Sequence, residues 1–361
     1  MKYIDEFRNI NLAKEISRVI FDEAKGLKPI NLMEVCGTHT MAVERFGIRR
    51  MLPKNIILIS GPGCPVCVTP KNYIDRSIAF SKLRDTIVVS FGDMVKVPGS
   101  YSSLREEKIK GKVRVVYSAL DAVDIAEKNP DKRIVFLGIG FETTAPTVAA
   151  SLKYAKKKRI KNFFVYSGHK IMPPAMLSLV KDRRINIDGF LCPAHVSAII
   201  GTMPYAEISE GYKIGCVIAG FEPLDILQSI LMLVKQVKSG KTKVENQYKR
   251  VVRSEGNKKA LSLIDEVFLV EDSEWRGIGI IPKSGLGLNK AYSGFDARKV
   301  ISLPEIKTKP DKGCICGNVL KGINTPLDCK LFGKHCNPTN PKGACMVSSE
   351  GTCAAYYRFA G

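Results

Sequence analysis

Short apolar runs that end in Gly-containing polar turns and then give way to helical patterns recur along this chain. That alternation constrains its fold more than any other feature. The runs cover residues 55–60, 86–90, 114–118, 133–137, 162–166, 188–191 and 216–219. Such a rhythm builds βα units and parallel sheets. The turns that follow read GPGCPVC, FGDM, GIGFETT, SGHK, CPAH and AGFEP. In open α/β sheets ligands bind beyond the carboxyl ends of the strands, so these turns are expected to line a cleft. Asp93, Glu142, His169, His195 and Glu222 lie in them. Each alone is as readily a helix cap or a satisfied polar group; together they describe a polar cleft.

The chain has 361 residues, more than one hydrophobic core usually serves. A Lys-rich polar stretch at 239–256 interrupts the pattern, and there the strand-like runs stop. From Asp311 onward the sequence is rich in Cys, Gly and Pro with few apolar runs. A segment of that composition cannot fill a core of its own and needs a metal group to hold it. The expected division is 1–128, an α/β domain carrying the CGTHT and GPGCPVC turns; 129–245, a second α/β domain; and 246–361, a C-terminal domain with the Cys-rich module.

Charge and hydropathy exclude several classes. The hydrophobic content of 45% with 25% charged residues is that of a globular protein, and no apolar run reaches the length of a membrane span. The first 24 residues read as an amphipathic helix without a signal peptide's apolar region, which places the chain in the cytoplasm. The net charge of +21 would suit a nucleic-acid binder or an acidic partner, and a generally solubilising basic surface is the favoured reading. Nucleic acid is not favoured, because the lysines are scattered and the densest run, 156–159, has no interleaved aromatics.

Sulfur carries the chemical signal. Of eleven cysteines, six fall between Cys314 and Cys353, and Cys36, Cys64 and Cys67 sit in two tight turns near the start. In a reducing compartment these are metal ligands or redox thiols rather than a disulfide framework. Cys314, Cys329, Cys336 and Cys353 give C-x14-C-x6-C-x16-C, a spacing suited to a [4Fe-4S] cluster. Zinc is the competing reading, yet zinc ribbons present two close C-x2-4-C pairs and here the one close pair is a CxC. Cys316 and Cys345 are left over as a thiol pair able to exchange electrons beside the cluster. The Cys64-Pro-Val-Cys67 turn follows a strand and precedes a helix, a position that lowers a thiol's pKa and makes it a nucleophile or ligand. Cys36-Gly-Thr38-His39-Thr40 offers a thiolate, an imidazole and two hydroxyls in five residues, a donor set for iron, copper or zinc. Cys192 and Cys216 have no thiol partner in the sequence and read as buried hydrophobes. His335, beside Cys336, reads as a surface group or as a neighbour supporting that thiol.

CGTHT, GPGCPVC, GFET, SGHK, CPAHV, GFEP and the closing CxCGxVLxG…DCxLFGxxC…GACMVSSEGTCAAYY are together similar to the HypD family of hydrogenase maturation factors, over nearly the whole chain. The resemblance implies a scaffold for the Fe(CN)2CO unit of [NiFe]-hydrogenases, working with the chaperone HypC and accepting cyanide from HypE. It implies iron held between a HypC cysteine and Cys36, a redox-active Cys64/Cys67 pair, and a [4Fe-4S] cluster on Cys314, Cys329, Cys336 and Cys353. Cys316 and Cys345 would be the intermediate pair of a relay similar to ferredoxin:thioredoxin reductase. From position, His39 is expected to tune or ligate the iron, and Thr38 and Thr40 to donate to cyanide nitrogens. The fold expected is α/β, two Rossmann-like parallel-sheet domains facing across a cleft, plus a small C-terminal Cys-rich iron-sulfur module. Such a chain is an assembly scaffold with redox activity rather than a conventional turnover enzyme. The alternative is a free-standing, cluster-fed thiol-disulfide oxidoreductase.

Overall fold

Strands buried on both faces belong to sheets covered on both sides, and this chain supplies two sets of them. The computed structural model describes residues 5–359. Its strands are β1 (Ile30–Glu34), β2 (Ile56–Ser60), β3 (Thr86–Ser90), β4 (Val113–Val115), β5 (Arg133–Gly138), β6 (Phe163–Ser167), β7 (Gly189–Pro193), β8 (Gly215–Ala219), β9 (Val244–Asn246), β10 (Phe268–Trp275) and β11 (Gly279–Leu288). β3, β6, β7 and β8 are buried at every residue, as parallel strands covered by helices must be. One sheet is five-stranded in the order β2-β1-β7-β8-β9, the other four-stranded in the order β4-β3-β5-β6, and all pairings within both are parallel.

This topology corrects the expected boundaries. The cut at 128 falls inside the four-stranded sheet, which runs from β3 to β6. The five-stranded sheet takes two strands from before that sheet and three from after it. The chain leaves the first sheet after β2, builds the second, and returns with β7 to pair beside β1, with Leu32 opposite Gly189. Nothing in a local run of residues records which earlier strand it will pair with. The 239–256 stretch also holds a strand: β9 is a short, half-buried edge strand joined to β8. After it, β10 and β11 form an antiparallel hairpin.

Three cores stack the molecule in layers. Between helices Ile10–Ala24 and Pro223–Ser239 and the five-stranded sheet lie Ile20, Ile30, Leu32, Val217, Ile230 and Val234. A central core joins the two sheets, with Met33 and Phe190 from one and Val88, Val135 and Phe164 from the other. Beyond the four-stranded sheet, helices Ala119–Lys128, Ala145–Lys157 and Lys258–Val267 and the hairpin enclose Val89, Phe136, Leu152 and Leu288. The hairpin therefore belongs with the second sheet rather than with the cysteine-rich tail. That tail holds only short helices and a satellite core of Cys336, Met346 and Ala354. Its thiols Cys316 and Cys345 enter the central core instead. No helix among the described residues is long and apolar enough to cross a membrane.

Candidate thiol site at the strand ends

Each sheet reverses strand order once, and each reversal opens a crevice at the carboxyl ends. In the five-stranded sheet the reversal lies between β1, which leads into Cys36, and β7, which leads into His195. In the four-stranded sheet it lies between β3 and β5, whose following turns carry Asp93 and Glu142.

Cys36 is the residue before helix Gly37–Arg45, extended at φ −147°, and buried at 7% exposure. The Gly37 N–H donates to the Gly63 carbonyl at 3.1 Å, and the Gly61 N–H to the Glu34 carbonyl at 2.8 Å, so the two cysteine turns are laced together by backbone bonds. Only glycine fits at 63, because a Cβ there would collide with the backbone N and Cα of Cys36. On its other side the Cys36 turn meets the tail: a Cβ on Gly37 would strike the Glu350 carbonyl, and Thr38 Oγ1 donates to Glu350 Oε1 at 2.8 Å. Burial pushes the Cys36 thiol up to about 12, helped by the Glu350 carboxylate and opposed by the backbone N–H groups of Thr38 and His39. An isolated Cys36 is thus a thiol at neutral pH, and a cation must bind to make it a thiolate.

His39 is wholly buried, its Nε2 within 2.9 and 3.0 Å of the Ala219 and Gly220 carbonyls after β8. Nε2 therefore carries the proton, and Nδ1 keeps a lone pair with no partner. Burial lowers this imidazole to about 4, so it is neutral at pH 7. Phe221 bridges it to His195, with ring centroids 4.8 Å from His39 and 4.1 Å from His195. His195 is exposed, and its pKa is lowered by desolvation. Thr40 Oγ1 donates to Glu34 Oε2 at 3.0 Å, and Ser60 Oγ to Glu34 Oε1 at 2.7 Å. Glu34 has no exposed surface, and burial raises it to about 8 against those bonds and the nearby Arg49 guanidinium. The hydroxyls of Thr38 and Thr40, expected to face a diatomic ligand, are thus both already donated to carboxylates.

Cys64 precedes helix Pro65–Val68, and its sulfur accepts from the Cys67 N–H at 3.4 Å. Cys67 has no exposed surface, and burial carries its thiol well above the ordinary range, opposite to the lowering expected of this turn. Four residues make too short a helix for its dipole to offset desolvation. The Cys67 thiol interacts with that of Cys345 and lies 3.8 Å from the Ala344 carbonyl. Cys345 Sγ in turn is 2.8 Å from Cys316 Sγ. All six tail cysteines, Cys314, Cys316, Cys329, Cys336, Cys345 and Cys353, line one pocket with Leu331, Phe332 and Met346. Cys345 is held up by contact with Cys353 and Cys67 and by burial, although its bond with Cys316 opposes this. Hydrogen bonding with Cys316, then burial, raises Cys314. The Lys342 N–H donates to Cys336 Sγ at 3.3 Å. Among the described residues, no three Cys, His, Asp or Glu side chains converge in the geometry of a single bound ion.

The remaining expected residues divide. Asp93 Oδ2 accepts from Ser348 Oγ at 3.2 Å, which pins the tail to the second sheet. Glu222 caps helix Pro223–Ser239 and pairs with Arg8 at 2.5 and 2.9 Å, so it serves structure. Glu142 Oε1 accepts from the Met172 N–H at 2.9 Å; its Oε2 is buried without a partner, and burial raises it to about 7. His169 Nδ1 lies 3.1 Å from Ser167 Oγ, and burial, then Lys170, lowers it to about 3. Cys192 and Cys216 are buried but not solitary: on adjacent strands β7 and β8 their thiols interact, an adjacency made by sheet pairing and invisible in sequence. His335 is exposed. Glu34, Phe221 and Glu350 were not singled out from sequence, although each sits inside or beside a singled-out motif.

These features define a parallel-sheet α/β protein that gathers nine thiols near its strand ends. The family model of HypD, described as "Hydrogenase formation hypA family", matches residues 11–360. The chain is 45% identical to the hydrogenase maturation factor HypD of Cupriavidus necator over 99% of this chain and 97% of that one. It is 45% identical to HypD of Rhizobium leguminosarum bv. viciae over 99% and 96%, and 43% identical to HypD of Escherichia coli K12 over 99% and 98%. The chain belongs to the HypD family of hydrogenase maturation factors.

Proposed function

We propose that this chain is the scaffold and redox protein on which the Fe(CN)2CO unit of [NiFe]-hydrogenases is assembled, with a HypC-like chaperone and with cyanide from a HypE-like donor. One observation carries the reading: Cys36 lies at a strand-order reversal, laced to the Cys64/Cys67 turn, and thiol contacts continue through Cys67 and Cys345 to a six-cysteine pocket. Iron is the cargo. Cys36 offers it a soft thiolate once the proton leaves, and His39 Nδ1 is an unclaimed lone pair in the same turn.

The tail pocket suits a [4Fe-4S] cluster by its donor set. Its donors are soft, its other walls include Leu331, Phe332 and Met346, and Cys314, Cys329, Cys336 and Cys353 would be the ligands. Four thiolates on four different irons stand farther apart than the ligands of one ion, which is consistent with the absence of a single-ion geometry among the described residues. Such a cluster supplies one-electron reduction. Around it, Cys316 and Cys345 are in contact to exchange as a pair, and Cys345 meets Cys67 for transfer onward. A free-standing oxidoreductase is disfavoured, because both Cys64 and Cys67 are buried and neither is presented to another protein's disulfide.

The test is anaerobic purification with the HypC-like chaperone followed by infrared spectroscopy. Cyanide and carbonyl stretches, lost together with iron in Cys36→Ala, are the expected result. Unchanged iron in that variant, or turnover of generic disulfides with no such bands, would sink the proposal.

A further inference from the structure

A groove of about 380 Å³ opens on the outer side of the cysteine module, lined by Asp93, Lys96, Pro341, Met346, Tyr357 and Arg358. Its floor is the wall of the thiol pocket. Met346 lines both cavities, and the Tyr357 ring stands edge-on, 6.2 Å away, to Phe332, which lines the pocket. At Met346 a single side chain separates the groove from the thiol pocket. The same pocket is joined to the assembly turns through Cys345 and Cys67, so it has one contact toward Cys36 and another toward this surface.

The charged lining of the groove is Lys96 and Arg358 against Asp93, and the tail that forms its other walls carries an excess of positive charge. Residues 314–359 carry Lys321, Lys330, Lys334, Lys342 and Arg358 against only Asp328 and Glu350. Both acids are hydrogen-bonded within the protein: Asp328 accepts from Thr325, and Glu350 accepts from Thr38. The Asp93 carboxylate accepts from Ser348. Lys96, Lys330, Lys334, Lys342 and Arg358 are exposed. A partly apolar lining of Pro341, Met346 and Tyr357 flanked by Lys96 and Arg358, on a tail of net positive charge, has the character of a small, charge-steered, short-lived redox interface.

We propose that this groove is where electrons enter the protein: it docks a small acidic one-electron carrier protein, which reduces the cluster held by the thiol pocket. The inference rests on the cluster reading given above. Each visit oxidises the carrier by one electron, with no bond formed and no proton moved. Two visits supply the two electrons that, with two protons from solvent, convert a Cys316–Cys345 disulfide to two thiols.

The test uses the full chain, purified anaerobically, with an acidic plant-type ferredoxin as probe. Calorimetry gives the affinity at low and at high salt, and stopped-flow absorption follows reduction of the chain. The double reversal Lys342→Glu and Arg358→Glu is expected to weaken low-salt binding tenfold or more, flatten its salt dependence and slow reduction in parallel. Lys96→Glu, on a different element, should act in the same direction. Reversing Lys156 and Lys157, on helix Ala145–Lys157, should change nothing. Unaltered affinity in the groove variants, or an equal loss in the Lys156/Lys157 control, overturns the proposal. Binding is also measured on the metal-free chain, which separates two failures: a chain that takes up no iron–sulfur cluster counts against the cluster reading, and loss of charge dependence counts against the groove.

Discussion

Gly63 and Gly37 show how little freedom the assembly turns have. A Cβ at 63 would meet the Cys36 backbone, which cannot swing aside as a flexible side chain would. Gly63→Ala is therefore expected to cost on the order of 2–4 kcal/mol, by the mechanism of overpacking against fixed atoms. Its effect on iron retention should exceed what the lost stability explains, because it parts Cys36 from the Cys64 turn. Urea titration beside iron analysis in the chaperone complex checks both; a variant as stable and as iron-loaded as the parent would refute the close fit. At the same scale, the burial of Cys36 predicts slow alkylation of the isolated chain by iodoacetamide at neutral pH. The thiol stays protonated until a cation arrives, so the rate should climb with pH up to the most alkaline condition at which the chain stays folded. Rapid, pH-independent labelling of Cys36 at pH 7 would contradict it. The motif residues at this scale were readable because Cys36, Cys64 and Cys67 stand in short Gly- and Pro-rich turns. Glu350 was not, because its contact with Thr38 spans most of the chain.

At the level of elements, the strand ends of the second sheet hold two buried groups whose titrations oppose each other. Glu142 keeps its proton to about 7 in the folded protein against 4.5 ordinarily. Between those values the unfolded chain releases a proton the native one retains, so stability falls as pH rises through that window. His169 is held near 3 against 6.5, so it stays neutral when folded; its contribution is full above 6.5 and is lost as pH falls toward 3. Glu142→Gln keeps an acceptor for the Met172 N–H and removes the first slope. Relative to the parent, the variant should gain on the order of 2–3 kcal/mol between pH 4.5 and pH 8. Denaturant midpoints across that range measure it, and parallel curves for the two proteins would refute the assignment. The elements themselves were largely legible: the runs at 55–60, 86–90, 133–137 and 162–166 became β2, β3, β5 and β6 within a residue or so at either end. β9 was not, since Val244-Glu245-Asn246 is half-buried and shows no apolar run; its backbone pairing with β8 makes it a strand. Sheet membership escaped for a related reason. Parallel strands accept any covered neighbour of similar character, and the return of β7 to β1 is decided by how the whole chain packs.

Across the whole molecule, the two sheets and the tail make sense only together. The tail has too little apolar content for a core of its own, and it is held by Thr38–Glu350 to the first sheet's crevice and by Ser348–Asp93 to the second's. So placed, it brings Cys345 against Cys67, residues 278 positions apart in sequence, in one buried layer. If sulfur-to-sulfur transfer runs along this line, removing the outer partner of each pair should force the inner two together. In the double variant Cys64→Ser and Cys316→Ser, a small aromatic disulfide oxidant takes two electrons, and the two thiols left facing each other are Cys67 and Cys345. Peptide mass mapping should then find a Cys67–Cys345 cross-link, while the parent protein yields Cys64–Cys67 and Cys316–Cys345 instead. Burial will slow the reaction in both proteins, so the comparison is of which pairs form rather than how fast. Should the double variant remain fully reduced under conditions that oxidise both parental pairs, the two thiol sets do not communicate, and the proposed relay toward Cys36 fails.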